Sequence, residues 1–244
     1  FSSRRRHTRY GTVTGVQTCA LPICMNEHEL EQIRELYEKS GVSVMVGFNR
    51  RFAPFIQQIK KALSDAAPKA INYRINAGIV PPEHWVHDPA VGGGRIIGEA
   101  CHFIDLCMYL AGATITSVSA SSMNDPHALA DTATISLQFA NGSVSNISYF
   151  SNGNKNMPKE YLEVFSGGVV YAMEDFKSLT VFGKSKKENS GTQDKGHRAE
   201  VAAFMNAVKS GKTSPIPFSE LYTSSLATLK VLESIARGGE VIRL

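Results

Sequence analysis

Hydrophobic and polar positions alternate with two different periods along this chain, and the change of period divides it. From residue 24, MNEHELEQIRELYEKSG places Leu30, Ile33, Leu36 and Tyr37 at helical spacing, with Gly41 as the stop. VSVMVGF at 42–48 then reads as a short buried strand, and Phe52–Leu63 as a helix with Pro54 in its first turn. After Pro68 the period falls to two. KAINYRINAG predicts a strand, PPEHWVHDPAVGGG a long loop, and IGEACHFIDLCMYLAG a helix closed by Gly112. TITSVSAS, DTATISLQF and SVSNISYF predict three strands, the last two joined by an Asn141-Gly142 hairpin turn. YLEVFSGGVVYAMEDFKSLTVFG adds two or three more, and HRAEVAAFMNAVKSG and SELYTSSLATLKVLESIARGG are closing helices.

Within 132–139, Ala133, Ile135, Leu137 and Phe139 alternate with Thr132, Thr134, Ser136 and Gln138. One sheet face is therefore apolar and the other a flat polar surface. The fold class expected is α+β: an open, mainly antiparallel sheet with helices on one face. The helix and strand over 24–49 cannot bury their own faces, and read as the last unit of a doubly wound Rossmann domain. The domain expectation is thus a remnant at 24–49 and a substrate or oligomerisation domain at 50–244.

The first 23 residues stand apart. VTGVQTCALPI back-translates into the indexed adapter of short-read DNA sequencing, and SRRRHTR into the outer arm of the same adapter. Residues 1–23 are expected to be translated adapter, disordered and outside the fold, a reading that genomic sequence upstream of Met25 would test. Setting them aside changes the charge. The chain's formal +4 includes Arg4, Arg5, Arg6 and Arg9; without them 22 basic residues face 22 acidic ones. That balance gives no electrostatic case for nucleic acid or anionic lipid. No apolar run approaches the roughly 18 residues of a membrane span. With Cys19 in that segment and Cys24 on its junction, Cys101 and Cys107 remain, separated by about 9 Å of helical rise, beyond disulfide reach. A reduced, cytoplasmic protein follows.

The densest chemistry is GGGRIIGEACHFIDL at 92–106. On a helix Glu99, His102 and Asp105 share one side, and a histidine flanked by carboxylates can be oriented for proton transfer. The nearby helix N-terminus favours the neutral imidazole. A buried histidine hydrogen-bonded to a carboxylate fits the pattern equally. Gly92, Gly94 and Gly98 approximate a dinucleotide loop, but they follow a polar loop instead of a strand, and suit a tight bend or close approach to a ligand. His84-x-x-His87-Asp88 has ligand-type residues without an obvious fourth, so a pocket rim is favoured over zinc and no metal site is expected. Trp85, the only tryptophan, is a candidate pocket lining. Arg50 and Arg51 follow the remnant strand, where doubly wound folds bind ligands.

The order and spacing of GFNRRFAPF, GGGRIIGEACHFIDL, EVFSGGVVYAMEDF and GHRAEVAAFMNAV resemble the glucose–fructose oxidoreductase, inositol dehydrogenase and MocA family from about Cys24 to Leu244. The resemblance implies an NAD(P)-dependent enzyme moving hydride to or from a carbinol carbon of a sugar, sugar derivative or cyclitol. It implies that His102 handles the hydroxyl proton with Glu99 beside it. Trp85, Arg95 and Asp105 would contact substrate, and Arg51 and Asn49 would lie near the cofactor. The aspartate that many members carry four residues before the histidine falls on Gly98, with Glu99 its neighbour. The partner lysine of a Glu-Lys-Pro turn is expected just upstream of Cys24, where adapter-like sequence stands. The expected partners are a small sugar-type substrate and a second copy of the chain docked through the open sheet face. The chain itself, without a phosphate loop, is expected to be inactive and to leave NAD or NADP unbound. The rival functions are a non-catalytic module that pairs subunits through the sheet and a hydrolase using His84, His87 and Asp88.

Overall fold

The computed structural model describes residues 18–19, 23–64, 67–88, 90–125, 127, 129–183 and 186–244. Most of the 1–23 segment lies outside them. Its described part includes β1 (Thr18–Cys19), which runs parallel to β2 (Met45–Val46), where no strand was expected.

Between these strands lies α1 (Glu27–Ser40). Asn26 caps it by accepting the Glu29 amide at 2.9 Å, and Glu29 accepts the Met25 amide at 2.8 Å, which leaves two N-terminal donors satisfied. Leu30 is fully buried, and Tyr37 stacks on Phe218 with ring centroids 3.9 Å apart. Leu36, expected on the buried stripe, is instead 66% exposed. The helix packs along α5 with only part of its apolar side, so the stripe is wider than its contact.

The body of the protein is a nine-stranded sheet in the order β10-β9-β8-β7-β3-β6-β5-β4-β11. Its strands are β3 (Ala70–Asn76), β4 (Ile115–Ser122), β5 (Ala133–Phe139), β6 (Val144–Phe150), β7 (Glu160–Ser166), β8 (Val169–Glu174), β9 (Ser178–Phe182), β10 (Lys186–Asn189) and β11 (Ile242–Arg243). All neighbours are antiparallel except β3 and β6, which are parallel. The sequence reading missed β10 and β11. Both are edge strands, of four and two residues, too short to show a period.

The alternation in 133–139 sends Ala133, Ile135, Leu137 and Phe139 into the core and leaves Thr134, Ser136 and Gln138 exposed. In the same phase β3 buries Ile71, Tyr73 and Ile75, and β7 buries Glu160, Leu162 and Val164. The helices α2 (Pro54–Ala62), α3 (Cys101–Ala111) and α5 (Phe218–Ala236) contribute to the same core. The helix α4 (His197–Lys209) packs against a short 3-10 turn at Asn49–Phe52. A second, smaller cluster joins Met45, Val46 and Phe48 to Cys101, Phe204, Ile216 and Leu221. The 24–49 unit is therefore seated on the start of α3 by apolar contact. Among the described residues, no helix is long and apolar enough to cross a membrane.

Candidate functional site

The stretch expected to be one helix over 97–112 has two parts: a π turn at Ile96–Ala100, then α3, closed by Gly112 in the left-handed conformation (φ 70°). A π turn inserts extra rotation into a helix, and such bulges concentrate at functional sites. Its effect here is to rotate Glu99 away from the side it would share with His102 and Asp105, which both lie within α3. Glu99 turns toward the sheet, Asp105 turns into the core, and His102 lies between them.

Glu99 accepts from three donors: Lys159 Nζ at 2.6 Å, the Tyr149 hydroxyl at 2.6 Å and Arg95 Nη2 at 3.0 Å. Burial raises its pKa, but Lys159, Tyr149 and Arg95 outweigh burial and pull it down to about 2. Glu99 is thus a fixed anion at neutral pH and no general acid. Arg95, expected to touch substrate, also donates to the carbonyls of Gly78 (2.6 Å) and Ala77 (3.3 Å).

His102 packs edge-on against Phe48, with ring centroids 5.7 Å apart at 83°. Burial, then the Arg50 guanidinium, lowers its pKa to about 3 against the opposing pull of Glu99 and Glu160; His197 lowers it further. The imidazole is neutral, as the dipole argument expected, but burial is the larger cause. Its Nδ1 is buried without a hydrogen-bond partner among the described residues. An unpaired buried polar atom costs stability, and a ligand group that pairs with it removes that cost.

Asp105 is 1% exposed and faces away from this cluster. Its oxygens accept from Arg51 Nε at 2.7 Å, Arg51 Nη2 at 2.6 Å and Ser224 Oγ at 3.1 Å. Arg51 also donates to Glu220. Asp105 and Arg51, expected at the substrate and cofactor, are instead a buried fork-on-fork pair tying the 3-10 turn to α3 and α5. Asn49, the other expected cofactor residue, donates to the Lys195 carbonyl at 2.7 Å. Together with Gly196 it clamps the start of α4. A Cβ on Gly196 (φ +87°) would lie 2.4 Å from the Asn49 carbonyl oxygen and 2.5 Å from the Ala53 nitrogen. That clamp carries Lys195 and His197 to the flank of His102.

Beneath that flank is a cluster the sequence reading missed. Glu160, fully buried, accepts from Arg50 Nε (2.9 Å) and Nη2 (3.0 Å), from Lys195 Nζ (2.7 Å) and from the Tyr73 hydroxyl. Despite burial, Arg50 and Lys195 hold its pKa at about 2. A usable signal existed: Glu160 is in phase with Leu162 and Val164, so the strand pattern alone puts a charge on the core face. Lys159 carries no comparable signal, because only the closing of the fold brings it to Glu99.

Glu200, in the first turn of α4, is buried and its Oε1 has no hydrogen-bond partner among the described residues. Burial, then the charge of Asp105, raises its pKa to about 7. A carboxyl raised in the folded state contributes its full stability below about pH 4.5 and loses it as pH climbs through about 7. Glu200→Gln is therefore expected to raise Tm by roughly 5 °C at pH 8 and by nothing at pH 4. Equal gains at both values in a calorimetric scan would contradict the assignment.

Trp85 is 49% exposed, in a 3-10 turn (Trp85–His87) with the His84 ring 5.5 Å away. Asp88 accepts the Ala90 amide at 2.8 Å, and its carbonyl takes the amides of Gly92 and Gly93. Among the described residues no three His, Cys, Asp or Glu side chains gather for a metal. The close approach expected at the glycines is to the chain itself: a Cβ on Gly92 would lie 2.4 Å from the Val86 carbonyl oxygen. Cys24, Cys101 and Cys107 are free and buried, with burial pushing each thiol up to about 12.

Comparison with known proteins places this geometry. Residues 67–167 match the GFO/IDH/MocA C-terminal domain. The myo-inositol 2-dehydrogenase of Thermotoga maritima is 23% identical over 213 residues, covering 80% of this chain and 62% of that protein. The scyllo-inositol 2-dehydrogenase (NAD(+)) of Bacillus subtilis is 34% identical over 112 residues, 43% of this chain and 31% of its own length. The chain thus spans less than two thirds of the curated relatives it matches. Among solved structures, levoglucosan dehydrogenase in complex with NADH and levoglucosan superposes with a TM-score of 0.79 at 17% identity, covering 93% of this chain and 72% of that one. The fold, open sheet included, is shared.

Proposed function

We propose, from the match of residues 67–167 to the GFO/IDH/MocA C-terminal domain, that the complete protein is an NAD(P)-dependent, cytoplasmic oxidoreductase. Its reaction moves hydride to or from a carbinol carbon of a sugar, sugar derivative or cyclitol. The observation that carries this reading is the neutral, half-buried His102, with an orphaned Nδ1, next to the fixed Glu99 anion.

The chain's own residues act on the proton. A neutral imidazole accepts a hydrogen bond from the substrate hydroxyl, and takes its proton as negative charge builds on the departing hydride's carbinol oxygen. Glu99 positions the surroundings, since Lys159, Tyr149 and Arg95 converge on it. Trp85 and Arg95 form the wall of the substrate site. The described residues do not fit the nicotinamide cofactor: Asn49 and Arg51 are spent on Lys195, Asp105 and Glu220, and Gly92 and Gly98 fold onto Val86. NAD or NADP, which would supply or receive the hydride, belongs to the complete protein.

The chain alone is accordingly expected to leave NADH fluorescence unchanged up to millimolar cofactor, and micromolar binding would contradict this. In the complete protein, His102→Ala is expected to lower kcat by about 10²–10⁴-fold on sugar or cyclitol substrates. Undiminished turnover would reduce His102 to a packing residue.

The open face supports a second role, pairing of subunits. Val144, Ala70, Phe165, Val170 and Phe182 form one registered row across five strands on the side away from the helices. Phe165 and Phe182 are 42% and 56% exposed. A contiguous exposed apolar row marks an interaction surface. Sedimentation is expected to show a dimer or larger assembly, and Phe165→Glu to shift it toward monomer. A wild-type monomer at micromolar concentration would remove this role.

A further inference from the structure

Residues 151–159 connect β6 to β7 and cross the mouth of the site beside Glu99. Asn76 anchors them, donating through Nδ2 to the carbonyls of Asn154 (2.7 Å) and Met157 (3.0 Å), while Arg74 holds the Pro158 carbonyl at 2.7 Å. The anchored loop delivers two lysines. The Lys155 stem lies 3.8 Å from where a Cβ would stand on Gly78, the residue whose carbonyl accepts from Arg95. Four positions on, Lys159 reaches Glu99.

The charges at this mouth do not balance. Arg95 and Lys159 share one carboxylate, Glu99, and Lys155, on the same loop as Lys159, adds a third cation beside Gly78. Arg95 is buried and already donates to Glu99 and to the carbonyls of Gly78 and Ala77. Lys155 is exposed and has no ion-pair partner among the described residues. Lys159 is partly exposed, and two of its three N–H groups have no partner among the described residues. The other acid on this side, Asp131, accepts the Ser151 hydroxyl at 2.8 Å and still leaves a net positive charge. On the far flank of His102, Arg50 and Lys195 likewise face the single carboxylate of Glu160. Neutral hydroxyls need donors and acceptors in balance. A surplus of ammonium groups on an anchored loop suits a ligand that brings negative charge.

We infer that the substrate carries an acidic group, a carboxylate or a phosphate ester, held by Lys155 and Lys159 while its reacting hydroxyl lies at His102. The inference rests on the sugar-oxidoreductase reading and narrows it to acidic sugars.

Calorimetric titration of the 244-residue chain with D-glucose, D-glucuronate, D-glucose 6-phosphate and inorganic phosphate tests it. Glucuronate, glucose 6-phosphate or both are expected to bind at least about tenfold more tightly than D-glucose, with affinity falling as salt rises. Which of them binds separates carboxylate from phosphate. Lys155→Gln is expected to weaken the acidic sugar about five- to tenfold and leave D-glucose unchanged, and Lys159→Gln to weaken the acidic sugar at least as much. Lys155 is exposed and has no ion-pair partner among the described residues, so its variant keeps the wild-type melting curve and guards against a folding artefact. D-glucose binding as tightly as both acidic sugars overturns the inference and leaves the broader reading standing. No sugar binding at all overturns both. Inorganic phosphate matching glucose 6-phosphate, with the same loss in both variants, shows a simple anion site and also overturns the inference.

Discussion

Glu160→Gln is expected to destabilise the protein by about 3–5 kcal/mol, the largest single effect of any substitution at the site. The side chain is 0% exposed and neutralises Arg50 and Lys195 while taking the Tyr73 hydroxyl. Glutamine keeps the volume but leaves two cations against no carboxylate, in a place water does not reach. The same group predicts a pH signature. A carboxyl held at about 2 contributes stability that is complete above about pH 4.5 and drains away as pH falls through about 2. Urea denaturation from pH 7 to 2 should show wild-type stability falling across that window, and a shallower fall in Glu160→Gln. Glu99, also at about 2, supplies a further part of the same slope, so the variant's curve flattens without becoming level. A loss under about 1 kcal/mol with an unchanged acid limb would mean the cluster is solvated in the working protein.

Gly196→Ala is the second, expected to cost about 3 kcal/mol or more. Two penalties combine. The backbone sits at φ +87°, a region that side chains rarely adopt, and the new methyl would meet the main chain of Asn49, Phe52 and Ala53 at 2.4–2.6 Å. Backbone atoms in a packed turn cannot swing aside as a lysine tip could. Gly211→Ala separates the two terms, because Gly211 also has positive φ (+64°) but nothing within 4 Å of the added carbon. It should lose only about 1 kcal/mol. Equal losses would show that conformation, not the clamp, accounts for the effect.

Much of the scaffold was legible because its signals are periodic. The two-residue alternation from Ala133 to Phe139 fixes a half-buried strand whatever lies beside it, and the left-handed Gly112 ends α3 where the chain pattern ends. The parallel β3–β6 pair was not legible, since it joins strands 74 residues apart with no local mark of direction. The site divides the same way. His102 stood out through its company on one short segment. The pairing of Asp105 with Arg51 was not legible, because composition does not tell a cation awaiting a ligand from one already paired. Lys159, Lys195 and Tyr149 each stand alone in polar or mixed sequence, and only tertiary closure gives them a role. Glu160 was readable: a charge in phase with Leu162 and Val164 asks for buried partners.

The position of β3 has a consequence for how the chain acquires its shape. It is the first strand of the large sheet to leave the ribosome, yet it occupies the sheet's centre, between β6 and β7. Its partners lie 74 residues downstream at Val144 and some 90 downstream at Glu160 to Phe165. The neighbouring hairpin of β5 and β6 closes across four residues, so it can form while β3 waits. Closing loops of that length is entropically slow, and until then the apolar side of Ile71, Tyr73 and Ile75 is without cover. Assembly of this sheet therefore proceeds from its flank inward. The interval before β3 is enclosed is when the nascent chain is most prone to pair with the wrong strand.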